Sequence, residues 1–252
     1  MSIDLNCDLG EGGPHDAALL ALVSSVNVAC GGHAGDERTM AATVALARGN
    51  DVAIGAHPGY RDAGGFGRRE RRLSTTATVD LVLQQIEVFA RIAGAALHHV
   101  KLHGALYTTV SHDEERAGAV AAALAAHWPR LVVYALAGCP FGGLARQAGL
   151  AVAEEAFLDR GYAADGTLLP RSTPGGLIDD PAEAASRACR LAQAGLVTTA
   201  AGTDLVIRPD TLCIHGDGAD SLACARAVRM ALDRAGVAVR TSAGRRAAPA
   251  AG

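Results

Sequence analysis

Asp4-Leu5-Asn6-Cys7-Asp8-Leu9-Gly10-Glu11 is the stretch that decides the fold. Side chains alternate across a strand, so Asp4, Asn6 and Asp8 share one face while Ile3, Leu5 and Cys7 share the other. Working outward, the strand read over 3–7 is followed by short β-branched or apolar runs at 26–30, 52–56, 99–103, 131–135, 151–155 and 211–215. Ala/Leu-rich stretches with helical spacing separate them, which is the pattern of repeated βα units around a parallel sheet. Val79, Val82, Leu83, Ile86, Phe89, Ala90 and Ala93 repeat on one helical face ending at Gly94, and a second helix runs from Asp113 towards Trp128 and Pro129. Asp180 and Pro181 read as N-cap and first position of a third helix, closed by Gly195.

Two segments interrupt the rhythm, a Gly- and Arg-rich stretch over 58–73 and a long connection over 157–180, and such breaks are where functional loops sit. Residues 197–208 read as a small hairpin turning near Gly202. The chain of 252 residues fits one domain over 1–242, because α/β barrels of this size fold as single units, with a frayed tail over 243–252.

Half of the residues are hydrophobic and 19% are charged, enough apolar surface for a large core. The net charge of −3 and the lack of a long cationic run argue against nucleic acid. Residues 17–35 are interrupted by Ser24, Ser25, Asn27 and glycines and make no membrane span, and the N-terminus lacks the pattern of a signal peptide, so the cytoplasm is expected. Six scattered cysteines without a CxxC pair read as reduced, small hydrophobic residues.

Ionisable residues gather at the C-terminal ends of the expected strands, which in a parallel barrel share one rim, the place of active sites. Period-2 counting joins Gly55 with His57, Lys101 with His103, and Cys213 with His215 and Asp217. If those faces point inward, Asp8, His57, His103 and His215 converge, although a slip of one residue would invert any of them. Each has an ordinary alternative: Asp8 as a helix cap, His33 as a turn residue, Asp36 as the cap of the next helix, and His57 as part of a Pro-Gly turn. Lys101 inside a strand needs an anion, either Asp4 or Asp8 in a salt bridge or a substrate carboxylate or oxyanion. One of Glu154 and Glu155 is open to acid–base work and the other to a solvated rim. Arg68, Arg69, Arg71 and Arg72 form either a solvated face or an anion clamp. There is no Walker A, HExxH or GxSxG pattern. Acid–base or metal-assisted hydrolysis by Asp and His remains.

Asp-Leu-Asn-Cys-Asp-Leu-Gly-Glu (4–11), Asn-Val-Ala-Cys-Gly-Gly-His-Ala-Gly-Asp (27–36), Gly-Ala-His-Pro-Gly-Tyr (55–60), Gly-Phe-Gly-Arg-Arg (65–69), Val-Lys-Leu-His-Gly-Ala-Leu-Tyr (100–107) and Thr-Leu-Cys-Ile-His-Gly-Asp (211–217) resemble, in order, the LamB/YcsF family. The resemblance implies an irregular seven-stranded β/α barrel, TIM-like and of the glycoside hydrolase and deacetylase type. It implies the A subunit of an ATP-dependent 5-oxoprolinase, which converts 5-oxo-L-proline to L-glutamate with hydrolysis of ATP and works with partner subunits B and C. The chain departs from the usual family motifs at Gly32, Leu102, Leu158 and the Gly13-Pro14-His15-Asp16 loop, beside rather than at the Asp, His and Lys positions.

The catalytic set expected on this basis is Asp8, His57, Lys101, His103 and His215, with Asp8 as base and a divalent metal held by Asp8, His57 and His103. Substrate contacts are expected from Asn6, His33, Asp36, Tyr107, Glu154, Asp159, Arg160, Arg171 and Asp217. ATP enters through the complex. Two other readings stay open: a stand-alone metal-dependent amide or N-acetyl sugar deacetylase, and a non-catalytic scaffold or substrate-holding subunit.

Overall fold

The computed structural model describes residues 1–218 and 220–246. Among them, seven parallel strands close on themselves: β1 (Ser2–Leu9), β2 (Ser25–Ala29), β3 (Ala53–His57), β4 (Leu97–Lys101), β5 (Val132–Leu136), β6 (Ala151–Phe157) and, after the hairpin of β7 (Leu196–Thr198) and β8 (Asp204–Val206), β9 (Thr211–His215). Each pairs with the next and β9 pairs with β1, while β10 (Ala238–Val239) flanks the start of β1. This is the expected seven-stranded α/β barrel, and the hairpin turning at Gly202 also lies where expected.

Both faces of every barrel strand are covered. Leu5, Cys7, Val26, Val28, Ile54, Val100, Val133, Val152, Leu212 and Ile214 belong to the large buried apolar cluster. The connecting helices α1 (Asp16–Leu20), α2 (Glu37–Gly49), α3 (Thr75–Ala93), α4 (Gly104–His112), α5 (Glu114–His127), α6 (Pro140–Gln147), α7 (Pro181–Ala194) and α8 (Ser221–Arg234) surround the barrel. Val82, Ile86, Phe89 and Ala93 bury the core face of α3, each of the larger ones contributing about 1.5–3 kcal/mol. Asp180, Pro181 and Gly195 start and stop α7 as expected, Gly195 adopting the left-handed φ of 65° that a residue with a Cβ resists.

The opposite faces fill the barrel. Val132, Tyr134, Ala151 and Ala153 form a small apolar cluster. Around and above it the filling is polar: Asp4, Asn6, Asp8, Ser25, Asn27, His99, Lys101, Glu155 and Thr211 are all buried. Gly55 leaves the space that the His99 ring occupies, since a Cβ there would lie 2.2 Å from His99 Nε2.

Two local differences bear on the site. β4 spans Leu97–Lys101 rather than 99–103, so His103 leaves the strand and becomes the N-cap of α4, a helix that the sequence reading, which began its helix at Asp113, did not include. Asp113, capping α5 through the Arg116 amide, marks the break between the two. Of the expected frayed tail, 247–252 lie outside the described residues, whereas Arg245 bridges to Val152 of β6 and pairs with Asp210.

Candidate active site

Strand register assembles the site. Asp8 stands opposite Asn27 of β2 on one side and His215 of β9 on the other, and Ala29 stands opposite His57 of β3. The inward phase of Asp4-Asn6-Asp8 therefore brings Asp8 to the C-terminal mouth beside two imidazoles. His57 Nε2 lies 3.2 Å from Asp8 Oδ2, and His215 Nε2 lies 3.8 Å from the same oxygen. His103 Nδ1 is 2.9 Å from His57 Nε2. All four residues expected to converge do so.

Lys101 reaches up the barrel axis. Its ammonium donates to Asp8 Oδ1 at 3.0 Å and to Asn6 Oδ1 at 3.2 Å, contacts Cys213 Sγ at 2.9 Å, and pairs with Glu155 Oε1 at 3.0 Å. Of its two expected partners it takes Asp8, not Asp4. The second carboxylate is Glu155, and Tyr107 donates to the other Glu155 oxygen at 2.8 Å. Asn27 donates to both Asn6 and Asp8 at 2.8 Å.

These contacts set the charges. Burial opposes ionisation of Asp8, but the charges of His57 and Lys101, a hydrogen bond from His57 and the charge of His215 override it and hold the carboxyl well below the usual range. Burial likewise opposes a charged Lys101, yet Asp8, Cys213 and Glu155 raise its pKa well above the ordinary lysine value. His57 is raised, burial notwithstanding, by Asp8 and Glu11; His103 is lowered well below its ordinary value by burial and by His57 and His33.

His215 is oriented by Asp159, whose carboxylate accepts from His215 Nδ1 at 2.8 Å and from the His215 amide at 2.9 Å. Burial opposes the Asp159 charge but His215 and Arg171 bring its pKa to about 2. The ring stacks on Phe157, and its free nitrogen faces Asp8 and the cleft. A cleft of about 890 Å³ opens above, lined by Asp8, His57, Lys101, His103, Tyr107 and His215 below and by Arg68, Arg160 and Arg171 from the two long loops. Arg160 donates to the Gly176 and Leu169 carbonyls, which fixes its guanidinium against the wall. A second cavity of about 420 Å³ shares Asp8 and adds Glu11 and Asp217.

Of the expected substrate contacts, Tyr107, Arg160 and Arg171 line the main cleft, Asp159 stands behind His215, and Asp217 pairs with Arg68 at the rim. Asn6 sits below the floor, fully engaged with Asn27, Lys101, Glu155 and Thr211. Two expectations are corrected. Asp36 is the exposed N-cap of α2, its carboxylate taken by the Thr39 amide, so its ordinary alternative holds. Glu154 points out of the barrel to Arg146 and the Gly138 amide; its neighbour Glu155 is the inward one, a slip of one residue. Within the arginine run, Arg68 faces the cleft while Arg69 and Arg71 pair with Asp62.

The residues that sequence reasoning did not single out are Glu11, Asn27 and His99, while Glu155 was weighed beside Glu154 but not chosen as the substrate contact. His99 shares the phase of Lys101, and Glu155 that of Ala151 and Ala153, so both were within reach of the same period-2 counting. Donor atoms of Glu11, His33, His57 and His103 all lie within 4.8 Å of one another, and Asp8, Cys213 and His215 form a second such group. Two of the three expected metal ligands, His57 and His103, thus cluster with Glu11 and His33, while Asp8 belongs to the other group.

The model of the LamB/YcsF family matches residues 3–247. The chain belongs to this family. Within it, the chain is similar to the 5-oxoprolinase A subunit of Heliobacterium modesticaldum, 48% identical over 95% of this chain and 98% of that one. The crystal structure of the lactam utilization protein of Thermus thermophilus superposes with a TM-score of 0.88 at 46% identity, covering 96% of this chain and all of that one. A peptidoglycan deacetylase from Bacillus subtilis, at 12% identity and a TM-score of 0.52, shares the barrel fold, with 95% of this chain and 87% of that one covered. Among the described residues no helix is long and apolar enough to cross a membrane.

Proposed function

We propose that this chain is the A subunit of a 5-oxoprolinase that opens the lactam ring of 5-oxo-L-proline to L-glutamate, coupled to ATP hydrolysis and working with subunits B and C. The observation that carries this reading is the near full-length likeness to chains named as the A component of 5-oxoprolinase, at 44–48% identity. The chemistry of the cleft supports it. A lactam forms intramolecularly at high effective molarity, so opening it needs an outside driving force. The chain lacks a Walker A motif, and ATP-dependent activation of the lactam carbonyl falls to the assembled complex.

His215 is the general base in this reading. Asp159 fixes its Nδ1 proton and leaves Nε2 towards the cleft, the arrangement that orients a histidine to take a proton from water. That water adds to the lactam carbonyl carbon, the C–N bond breaks, and the leaving nitrogen takes a proton to become the amine of glutamate. Asp8, held ionised, is a weak base; it pairs with His57 and with the Lys101 ammonium beside the reacting carbonyl rather than removing a proton itself. Arg160 and Arg171 face the cleft and suit the substrate carboxylate.

The test is glutamate and ADP formation from 5-oxo-L-proline and ATP with this chain alone, with B and C, and with B and C alone. Turnover only in the complete mixture, lost in Asp8→Asn, is the expected result. Turnover by B and C alone would overturn it. The stand-alone amide hydrolase reading is favoured by the Glu11 and histidine cluster, and it requires ATP-independent turnover by this chain without partners.

A further inference from the structure

We propose that Glu11, His33, His57 and His103 form a binding site for a zinc-class divalent cation at the barrel mouth, with Glu11 Oε1, His57 Nε2, His103 Nδ1 and His33 Nε2 as ligands. His57 Nδ1 lies 2.8 Å from the Lys101 carbonyl oxygen, and His103 Nε2 lies 2.9 Å from the Phe66 carbonyl oxygen. A carbonyl only accepts, so each of these nitrogens carries the ring proton. The remaining nitrogens, His57 Nε2 and His103 Nδ1, face each other across 2.9 Å, with Asp8 Oδ2 3.2 Å from His57 Nε2, so either one proton or a metal cation lies between them. Something positive belongs between them.

The surrounding atoms suit a cation with several ligands. Glu11 Oε1 lies 2.8 Å from His33 Nε2, 3.4 Å from His103 Nδ1 and 3.9 Å from His57 Nε2. Four ligands about 2.1 Å from a tetrahedral zinc sit about 3.4 Å apart, and these separations bracket that figure. Three imidazoles and one carboxylate are a borderline donor set that favours Zn²⁺ and its neighbours over Mg²⁺ or Ca²⁺. Backbone carbonyls on the outer nitrogens of His57 and His103 are the supporting contacts that orient ligand histidines.

Glycine packing holds the rings in this pose. His33 stacks on His103 with centroids 3.5 Å apart. A Cβ at Gly67 would lie 2.7 Å from His33 Cβ and 2.9 Å from His103 Cδ2, and one at Gly59 would lie 2.6 Å from His33 Nδ1. All three histidines are buried, and Glu11 lines the smaller cavity while His57 and His103 line the main cleft. The cluster therefore stands in the wall between two accessible spaces. His33 is its least constrained member, because its Nδ1 has no partner among the described residues.

The experiment uses the full-length chain, stripped with a chelator and dialysed against Zn²⁺ or Co²⁺, with metal content measured by mass spectrometry and the Co²⁺ form by visible absorption. The expected result is one metal per chain and the intense absorption of tetrahedral Co²⁺. Glu11→Gln and His103→Gln should weaken affinity by more than about tenfold, His33→Gln by less, and exposed His127→Gln should leave it unchanged. Substoichiometric metal in the unsubstituted chain overturns the site and leaves His57 and His103 as a proton-sharing pair. Equal affinity in folded Glu11→Gln and His103→Gln overturns it too. If either variant fails to fold, stoichiometry and the Co²⁺ spectrum of the unsubstituted chain decide. Metal binding is independent of the ring-opening reading, and a failed turnover assay leaves it standing.

Discussion

Asp4 and Asp8 stand four residues apart on the same face of the same strand, both almost fully buried, and they carry opposite tendencies. Asp4 is held by hydroxyls: Ser24 and Ser25 donate to one oxygen at 2.6 Å and Thr211 to the other at 2.6 Å. Burial outweighs these neutral donors and raises its pKa. Asp8 faces His57, Lys101 and His215, and burial is outweighed instead. Depth in the barrel does not decide charge; the charge of the partners does. The lower barrel is a hydrogen-bonded plug, and the upper barrel is an ionised cluster that opens onto a cleft.

The sharpest way to break this contrast is to remove the cation. Lys101→Met leaves Asp8 and Glu155 buried without their shared partner, and the cost should be about 3–5 kcal/mol together with loss of turnover. Urea unfolding of this variant checks it; an unchanged midpoint would show that the upper cluster needs no cation. Next in size, Asp159→Asn frees the His215 tautomer and should lower kcat roughly 10²- to 10⁴-fold in the assembled enzyme, with the fold retained. A change confined to KM would make Asp159 a substrate contact instead.

The smallest effect separates the two aspartates by pH. The folded value of Asp8 is depressed, so its stabilisation is present above the unfolded carboxylate value of about 3.9 and is lost as pH falls through the folded value. The folded value of Asp4 is raised, so its contribution is present below about 3.9 and is lost as pH rises through the folded value. Asp8→Asn should therefore flatten the acid side of the stability profile, and Asp4→Asn the side just above it, the latter with a change within about 1 kcal/mol and turnover retained. Unfolding midpoints across acidic to neutral pH would show both; parallel profiles would remove the distinction.

The barrel was legible because period-2 alternation in Asp4-Leu5-Asn6-Cys7-Asp8 and the βα rhythm are local signals, and the seven strands lie within about two residues of their expected places. The convergence of Asp8, His57, His103 and His215 followed from that phase. Phase also marks where reading failed. At Glu154-Glu155 two identical residues sit side by side, and nothing in their chemistry says which points inward; the register of β6 with β5 and β9 does. Asp36 was drawn into the site by its motif, although its capping geometry with Thr39 is itself a sequence signal. Glu11 lies beyond the end of β1, after Gly10, where alternation no longer applies, so only the path of the loop brings it to the histidines.

The pairing of β1 with β9 has a consequence for how the chain is made. Asp8 and His215 become neighbours only when the first strand meets the last barrel strand, a contact spanning about two hundred residues. On the ribosome, residues 4–8 must wait while the rest is synthesised, at about 5–20 residues per second, which amounts to tens of seconds. Throughout that wait one edge of β1 lacks its partner, and every shorter nascent product is without a finished active site. Until β9 is made, that amino-terminal edge is an open strand edge, and it closes only with the last barrel strand.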